Sequence, residues 1–216
     1  LRQYATQKPF LKVDGKPVIF VYGRVMAQVP MQSWSKIIQG VQETYGSDFL
    51  LIADGYSESY ARVFDGIHTY NICGWVRDKS PDELRKLSSK TFSENVQLAR
   101  RHRKISCLTI IPGYDDTKIR KPGLVASRQE NKTYKILWEE ALRADPDWVL
   151  ITSWNEWHEG SEIEPSWEDG DQYIRMTGRH AAPFLARSPS RSSASVPPSG
   201  PPVAVAAELR KLYQDK

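Results

Sequence analysis

Apolar positions along this chain come in short continuous blocks separated by longer amphipathic stretches. Five of these blocks are rich in Val, Ile and Leu. Continuous apolar runs of this length predict strands that are buried on both faces, whereas strict alternation would indicate strands with one wet face. The predicted strands are residues 17–22, 49–53, 66–70, 106–111 and 148–153.

Helical patterns lie between most of the predicted strands. They cover residues 33–44, 81–102 and 133–144. The second begins at Ser80-Pro-Asp-Glu83, where Ser80 can cap the helix, Pro81 suits its first turn and Glu83 completes a capping box. Repeated alternation of strand and helix predicts an α/β fold in which helices cover a parallel sheet.

Two parallel architectures fit this alternation, an open doubly wound sheet and a closed barrel. Polar, aromatic or acidic residues follow nearly every strand, as expected for a barrel whose strand ends build one rim. No glycine-rich phosphate loop follows the first strand, which disfavours a nucleotide-binding sheet. We therefore predict a (β/α)8 TIM barrel. Five strand–helix units make an incomplete barrel, with about three units expected upstream of Leu1.

Composition indicates where the folded domain ends and which classes of partner are not expected. The 216 residues are 40% hydrophobic, enough for one core, but residues 188–207 are rich in Ser, Pro, Ala and Gly. We predict a barrel domain over 1–187 and a flexible tail over 188–216. A nucleic-acid-binding protein usually has a strongly basic face. The net charge of this chain is only +4, from 30 basic and 26 acidic residues, so no nucleic-acid partner is expected. The sequence also lacks a targeting segment or an apolar run of membrane-spanning length.

The segment Ile151-Thr-Ser-Trp-Asn-Glu-Trp-His-Glu-Gly160 carries the strongest functional signal. It follows a predicted strand and places Glu156 and Glu159 among indole rings. Two carboxyl groups and flat aromatic faces are the equipment of a glycosidase, in which one acid protonates the leaving oxygen and the other carboxylate acts as base or nucleophile. A helical turn would bring both carboxylates to one face. Crowded like charges favour one protonated member of the pair.

Further polar residues are candidates for binding the sugar. In the signature segment these are Asn155, Trp157 and His158. Pro112-Gly-Tyr-Asp-Asp-Thr-Lys-Ile-Arg120 follows another strand and supplies hydroxyl, carboxylate and guanidinium groups. The candidates there are Tyr114, Asp116 and Arg120, with either Asp115 or Asp116 expected to be a turn residue. His68 and Tyr70 share one side of the 66–70 strand, and for His68 a buried supporting role remains equally open.

Two other functions remain open from the residues alone. One is a non-catalytic carbohydrate-binding barrel that has kept the aromatic cleft. The other is a metal-dependent hydrolase, since Asp115, Asp116, Glu156, His158 and Glu159 are all possible ligands. The chain lacks HExxH, CxxC and EF-hand spacings, so no metal or other cofactor is expected.

These motifs together resemble glycoside hydrolase family 99, the endo-α-mannosidases. The signature segment followed by Glu162-Ile-Glu164 resembles the family's signature loop. Three further blocks are similar to the family's in the expected order. They are Lys12-Val-Asp-Gly-Lys-Pro-Val-Ile-Phe-Val-Tyr22, Asp65-Gly-Ile-His-Thr-Tyr70 and Pro112-Gly-Tyr-Asp-Asp-Thr-Lys-Ile-Arg120, within a likeness over residues 10–180.

The resemblance implies a (β/α)8 barrel that cleaves internal α-1,2-mannosidic bonds of N-glycans or mannans with retention of configuration. It implies Glu159 as general acid/base and Glu156 as base on the substrate's own 2-hydroxyl, which attacks the anomeric carbon to form an anhydro-sugar. Tyr70 and Tyr114 match family tyrosines near the site. An oligosaccharide is therefore the expected partner.

The sequence departs from the family pattern at two places. Lys121-Pro-Gly123 stands where the family usually continues with Pro-Trp-Asn, and His68-Thr69-Tyr70 stands where the family has Tyr-Thr-Tyr. Several substrate-binding residues of the family belong to the barrel's front third, which is expected upstream of Leu1.

Overall fold

The computed structural model describes residues 10–45 and 49–187. Its strands are β1 Lys12–Val13, β2 Lys16–Val21, β3 Leu50–Asp54, β4 Gly66–His68, β5 Ile105–Ile110, β6 Tyr114–Asp115, β7 Val125–Ala126 and β8 Trp148–Ile151. Its helices are α1 Gly23–Gln28, α2 Met31–Tyr45, α3 Glu58–Val63, α4 Cys73–Val76, α5 Pro81–Arg101, α6 Lys132–Ala144 and α7 Gln172–Ala186. A 3-10 helix, Trp157–Glu159, follows β8.

The main sheet has the order β1-β2-β3-β4-β5-β8. Neighbouring strands from β2 to β8 are parallel, and the short β1 pairs antiparallel with β2. Each parallel strand lies beside the one before it in the chain, with helices between them. A doubly wound sheet would reverse this order at a switch point, whereas a barrel keeps it. The fold is therefore an incomplete (β/α)8 barrel, as predicted.

Opposite faces of the curled sheet bury different apolar residues. On the helix-covered face, Ala61, Ile67 and Ala99 form one buried cluster. The other face carries Ile52 and Cys107, with further half-buried residues packed around them. This second face is the concave side of the barrel, and it lies directly below the rim formed by the carboxyl ends of the strands.

The three predicted helices, α2, α5 and α6, begin and end within two residues of their predicted bounds. The capping box at the start of α5 is present, with the Ser80 side chain accepting from the Glu83 amide and Glu83 accepting from the Ser80 amide. Helix α6 ends at Asp145, which adopts a left-handed conformation with φ of 58°. The two helices pack together around Glu140, which is buried and accepts hydrogen bonds from Arg85 at 3.0 Å and Arg143 at 2.6 Å.

Two predicted strands are longer than the observed ones. Strand β4 ends at His68 because the Tyr70 amide donates to the Asp54 carboxylate at 3.1 Å instead of to a strand neighbour. Strand β8 ends at Ile151, and the Ser153 amide turns to the Ser161 carbonyl at 2.8 Å.

Several short elements, and the longer helix α7, were not predicted. The unpredicted elements are β1, β6, β7, α1, α3, α4 and α7. In the part of the chain that the structure describes, no helix combines the length and apolar character needed to cross a membrane. The tail predicted over 188–216 lies outside the described residues.

Candidate active site

The signature segment forms a tight loop at the carboxyl end of β8. The Ser153 hydroxyl accepts from the Glu156 amide at 2.9 Å. It also lies 3.0 Å from the Ser161 hydroxyl, and this contact joins the two ends of the loop. The 3-10 turn within it ends at Gly160, whose φ is +57°. A Cβ at Gly160 would also lie only 3.0 Å from the Asp115 amide nitrogen. Glycine at this position therefore lets the loop press against the β6 segment.

The segment after Asn155 is a single turn of 3-10 helix, and Glu156 and Glu159 stand at its two ends. The Glu159 amide donates to the Glu156 carbonyl at 3.0 Å. Glu156 precedes the turn, with φ of −79° and ψ of 68°, whereas Glu159 closes it. The charges of both carboxylates act on Tyr70. The Glu156 side chain is exposed, whereas that of Glu159 is only 14% exposed. The pair therefore has one solvated and one sheltered carboxylate.

Arg120 connects Glu159 to a buried polar group below it. Its guanidinium donates to Glu159 Oε1 at 3.0 Å and to Asp116 Oδ2 at 2.7 Å. It also donates to the Tyr114 hydroxyl at 2.8 Å, and that hydroxyl donates to Asp116 Oδ2 at 3.0 Å. The other oxygen of Glu159, Oε2, is buried with no hydrogen-bond partner among the described residues. One oxygen is thus held in place while the other has no partner among the described residues.

The structure separates the roles of the two neighbouring aspartates. Asp115 accepts from the amide and hydroxyl of Thr117, which makes it the turn residue that the sequence expected of one of the pair. Asp116 is 2% exposed, and its carboxylate is fully engaged with Arg120, Tyr114 and the Leu124 amide. This geometry favours positioning of Arg120 over the direct sugar contact that we predicted for Asp116.

Hydrogen bonding controls ionisation in this cluster. Burial alone would raise the pKa of Asp116, but the hydrogen bonds from the Leu124 amide, Arg120 and Tyr114 outweigh it and lower that pKa. Burial, the hydrogen bond to Asp116 and the nearby charge of Glu159 raise the pKa of Tyr114. Tyr114 therefore remains a hydroxyl donor and Asp116 remains an anion that holds Arg120.

One departure from the family pattern lies beside this cluster. At Gly123 a Cβ would come within 2.7 Å of the Thr117 Cα and 2.9 Å of Asp116 Oδ1. The absence of a side chain lets the next amide, that of Leu124, reach Asp116 Oδ1 at 2.6 Å. A backbone contact to Asp116 is therefore made directly after the Lys121-Pro-Gly123 segment, which is where the sequence departs from the Pro-Trp-Asn pattern.

Tyr70 lies near the carboxylate pair, as the sequence predicts. Burial raises its pKa, and the charges of Glu159 and Glu156 raise it further. Its ring makes an edge-to-face contact with Tyr22 at 6.4 Å, and its amide is held by Asp54. Tyr22 directly follows β2 and Asp54 is the last residue of β3, so both stand at strand ends on the rim.

His68 is buried below the rim, at 5% exposure. Its ring lies edge-to-face against Phe20 at 5.0 Å, and neither ring nitrogen has a hydrogen-bond partner among the described residues. Burial lowers the pKa of His68, an effect that the neighbouring Asp54 carboxylate partly offsets. Of the two roles left open for His68, this placement favours buried support.

The remaining candidates line the open side of the loop. Asn155, Trp157 and His158 are all exposed. The Trp157 indole N–H donates to Glu164 at 2.9 Å, which fixes the ring while leaving it 45% exposed. A fixed, exposed indole beside two carboxylates is suited to stacking on a sugar ring.

Arg128 is a supporting residue that the sequence analysis missed. Its guanidinium donates to the carbonyls of Gly160 and Glu162 at 3.2 and 3.0 Å and to the Glu162 carboxylate at 2.5 Å. The same group lies 4.5 Å from the centre of the Tyr173 ring. Arg128 thus holds the backbone just after Glu159. Nothing in the local pattern indicates this, since its partners lie more than thirty residues away.

The site's other possible chemistry was metal binding. Within residues 10–45 and 49–187, no three His, Cys, Asp or Glu side chains converge as they would around a metal ion. What the described residues do assemble is two carboxylates, the Arg120 guanidinium, the phenols of Tyr70 and Tyr114, and exposed indoles.

Comparisons with known proteins point in the same direction. The model of the family described as "Glycosyl hydrolase family 99" matches residues 1–176. The rat protein "Glycoprotein endo-alpha-1,2-mannosidase" is 29% identical over 160 residues, which cover 68% of this chain and 32% of that protein. The human "Glycoprotein endo-alpha-1,2-mannosidase-like protein" is 31% identical over 119 residues, covering 53% of this chain and 24% of that protein.

Among solved structures, the chain is similar to the GH99 endo-alpha-mannosidase from Bacteroides thetaiotaomicron. The TM-score is 0.68 at 23% identity, with 85% of this chain and 59% of that chain covered. This likeness supports the barrel fold. The chain spans about a third of the length of the rat relative and a quarter of the human one.

Proposed function

The chain belongs to glycosyl hydrolase family 99, and from this membership we propose that it supplies the catalytic carboxylates of a retaining endo-acting α-1,2-mannosidase. The proposed substrates are N-glycans or mannans. The observation that carries the proposal is the asymmetry at Glu159, where one carboxylate oxygen is held by Arg120 and the other is buried without a partner. An unengaged, sheltered oxygen beside an exposed carboxylate suits an acid that must deliver a proton to a glycosidic oxygen.

In the first step Glu156 removes the proton from the substrate 2-hydroxyl. That oxygen then forms a bond to the anomeric carbon while the glycosidic C–O bond breaks. The leaving oxygen takes its proton from Glu159, and the product of this half-reaction is a 1,2-anhydro-sugar. Neither glutamate becomes covalently attached to the sugar.

In the second step a water molecule opens the anhydro ring. Glu159, now a carboxylate, accepts a proton from the water as its oxygen bonds to the anomeric carbon. The C1–O2 bond breaks, and O2 recovers a proton from Glu156. Two inversions at one carbon retain the configuration, and both glutamates return to their starting protonation states. Arg120 and Tyr70 are placed to steady the charges that move between them.

The test is release of reducing sugar from an α-1,2-linked manno-oligosaccharide by the 216-residue chain. We expect Glu159→Gln to lower the rate by about 10²–10⁴-fold while oligosaccharide binding is kept. The matched control is Glu94→Gln, the same change on an exposed helix residue, which should leave turnover unaltered. Normal turnover by Glu159→Gln would refute the assignment.

Two further outcomes separate the alternative functions. Binding without turnover by the folded wild-type chain would favour the non-catalytic carbohydrate-binding role for this chain. Turnover that disappears with a chelator and returns with added metal would favour the metal-dependent hydrolase.

A further inference from the structure

Trp167 is the most exposed large apolar residue among those described, with an indole that is fully solvent-exposed. It stands at the tip of a tight turn near the signature loop. Soluble proteins carry single exposed apolar residues routinely, so exposure alone does not indicate a function. Two further features distinguish Trp167. Its turn is closed by several hydrogen bonds, and it lines a groove together with Trp157.

The turn that carries Trp167 is closed by several hydrogen bonds. Ser166 and Gly170 exchange two backbone hydrogen bonds at 3.1 and 2.8 Å. The Ser166 hydroxyl accepts from the Asp169 amide at 2.8 Å, and the Asp169 carboxylate accepts from Gln172 at 2.5 Å. The backbone is therefore fixed at the base of Trp167, so a ligand that binds there has to order the indole but not the turn.

The turn also contacts Arg128, the residue that holds the backbone of the signature loop. The Arg128 guanidinium lies 3.5 Å from the Asp169 carboxylate while it holds the backbone after Glu159. The position of Trp167 is thus coupled to that of the candidate catalytic loop through one buried guanidinium.

Trp167 and Trp157 line the same open groove, of about 580 Å³. Such a volume is within the range of small-molecule sites. Trp157 belongs to the same loop as Glu156 and Glu159, so one wall of the groove is formed by the loop that carries both carboxylates. Glu168 and Asp171 also line it and provide acceptors for hydroxyl groups.

We propose that this groove, from Trp157 to Trp167, is an outer sugar-binding surface that holds hexose units of the glycan beyond those at the carboxylate pair. This inference rests on the proposed function, because the glycan is taken to be one whose cleavable bond lies at Glu159. Exposed indole faces and carboxylate acceptors match the apolar faces and hydroxyl edges of a neutral hexose chain. Continuity with the cleft through Trp157 favours the same chain over a separate ligand.

The proposal predicts that the contribution of Trp167 depends on ligand length. Binding of α-1,2-mannobiose and α-1,2-mannotetraose would be measured by isothermal titration calorimetry, in the Glu159→Gln background so that no substrate is consumed. We expect Trp167→Ala to weaken mannotetraose binding about tenfold, or about 1.4 kcal/mol, with mannobiose binding unchanged. Trp167→Phe should retain most of the affinity, because it keeps an aromatic face.

Leu185→Ala is the matched control, since it removes an exposed apolar side chain from the far end of α7. It should alter neither affinity. Equal binding of mannotetraose by Trp167→Ala and its parent would overturn the proposal, and so would an equal loss for both ligands, which would indicate a supporting role for Trp167. Wild-type chain that binds these ligands without cleaving them would overturn the proposed function instead, and the length series would still decide the role of Trp167.

Discussion

At the scale of single residues, His68 is a buried imidazole whose surroundings disfavour the protonated form. It is buried against Phe20, and burial lowers its pKa. An unfolded chain has a histidine pKa near 6.5, so below about pH 6.5 the unfolded state binds a proton that the folded state resists. His68 therefore contributes stability that is fully present above about pH 6.5 and is lost as the pH falls toward its lower folded pKa.

We expect His68→Phe to remove this component of the pH dependence. Phenylalanine keeps a planar ring and eliminates two buried nitrogens that lack partners, which is neutral or stabilising. Urea unfolding at pH 8 should give free energies within about 1 kcal/mol for the two proteins. At pH 5 the wild type should have lost more stability than the variant. Parallel pH curves for the two proteins would contradict the prediction.

Asp116 is the opposite case, a buried carboxylate whose pKa is lowered because its hydrogen bonds outweigh its burial. Its contribution to stability is complete above the unfolded pKa of about 3.9 and is lost as the pH falls through the lower folded value. Asp116→Asn should cost about 1–3 kcal/mol at pH 7, because Arg120 and the Leu124 amide lose a charged acceptor. Thermal unfolding at pH 7 and pH 3 measures this difference.

At pH 3 the gap between wild type and Asp116→Asn should narrow, because the unfolded wild type then binds a proton that the folded protein resists. Asp115→Asn is the matched control, the same change at the adjacent residue, whose partner Thr117 lies in an exposed turn. It should cost less at pH 7. A gap that is constant with pH would show that the charge of Asp116 is not what stabilises the fold.

The pair Asp115 and Asp116 also shows where sequence reasoning ends at this scale. The motif predicted a functional acid and a turn acid, but which was which depends on Gly123 and on the approach of the Leu124 amide. Neither contact follows from hydrophobic periodicity. The positions at strand ends were identifiable because every parallel strand of a barrel delivers its last residues to the same rim.

At the scale of elements, all five parallel strands were predicted to within two residues at each end, because burial on both faces leaves a continuous apolar signal. Three of the four long helices, α2, α5 and α6, were predicted equally well. The missed helices α1 and α3 are six residues long, too short to repeat a 3.6-residue period. Helix α7 contains Gly178 and Pro183, which interrupt its pattern.

The element that we expect to be most sensitive to a single substitution is the loop after Glu159. Arg128→Lys keeps a positive charge but cannot reach the carbonyls of Gly160 and Glu162 together with the Glu162 carboxylate. We expect kcat for manno-oligosaccharide hydrolysis to fall about 10–100-fold, with a smaller change in KM, because a looser loop misplaces Glu159. Steady-state kinetics of both proteins at equal folded fraction measure this.

Ser80→Ala provides the control for stability alone. It removes the cap of α5 and should cost about 1 kcal/mol, without an effect on kcat. If Arg128→Lys behaved like Ser80→Ala, lowering the melting temperature with kcat preserved, Arg128 would be a structural residue and not one that positions the loop.

At the scale of the whole molecule, the concave face of the described part of the barrel is open. Phe20 is 38% exposed there, and Trp148 and Leu150 are half-buried around the Ile52 and Cys107 cluster. Within the described ranges β8 pairs with β5 alone, so its other edge presents unpaired backbone groups. An unpaired edge beside an apolar face is a template for association with another chain.

We therefore expect the 216-residue chain, studied by itself, to associate as its concentration rises. Leu150→Lys should weaken this association because an inward-pointing lysine at a sheet edge opposes pairing with a second edge. Sedimentation equilibrium over a range of concentrations measures the effect, with Leu185→Lys on the exposed surface of α7 as the control of equal charge. Equal association of the two lysine variants would show that net charge, not the β8 edge, governs contact between copies. A wild type that stays monomeric would show that the open face does not drive association.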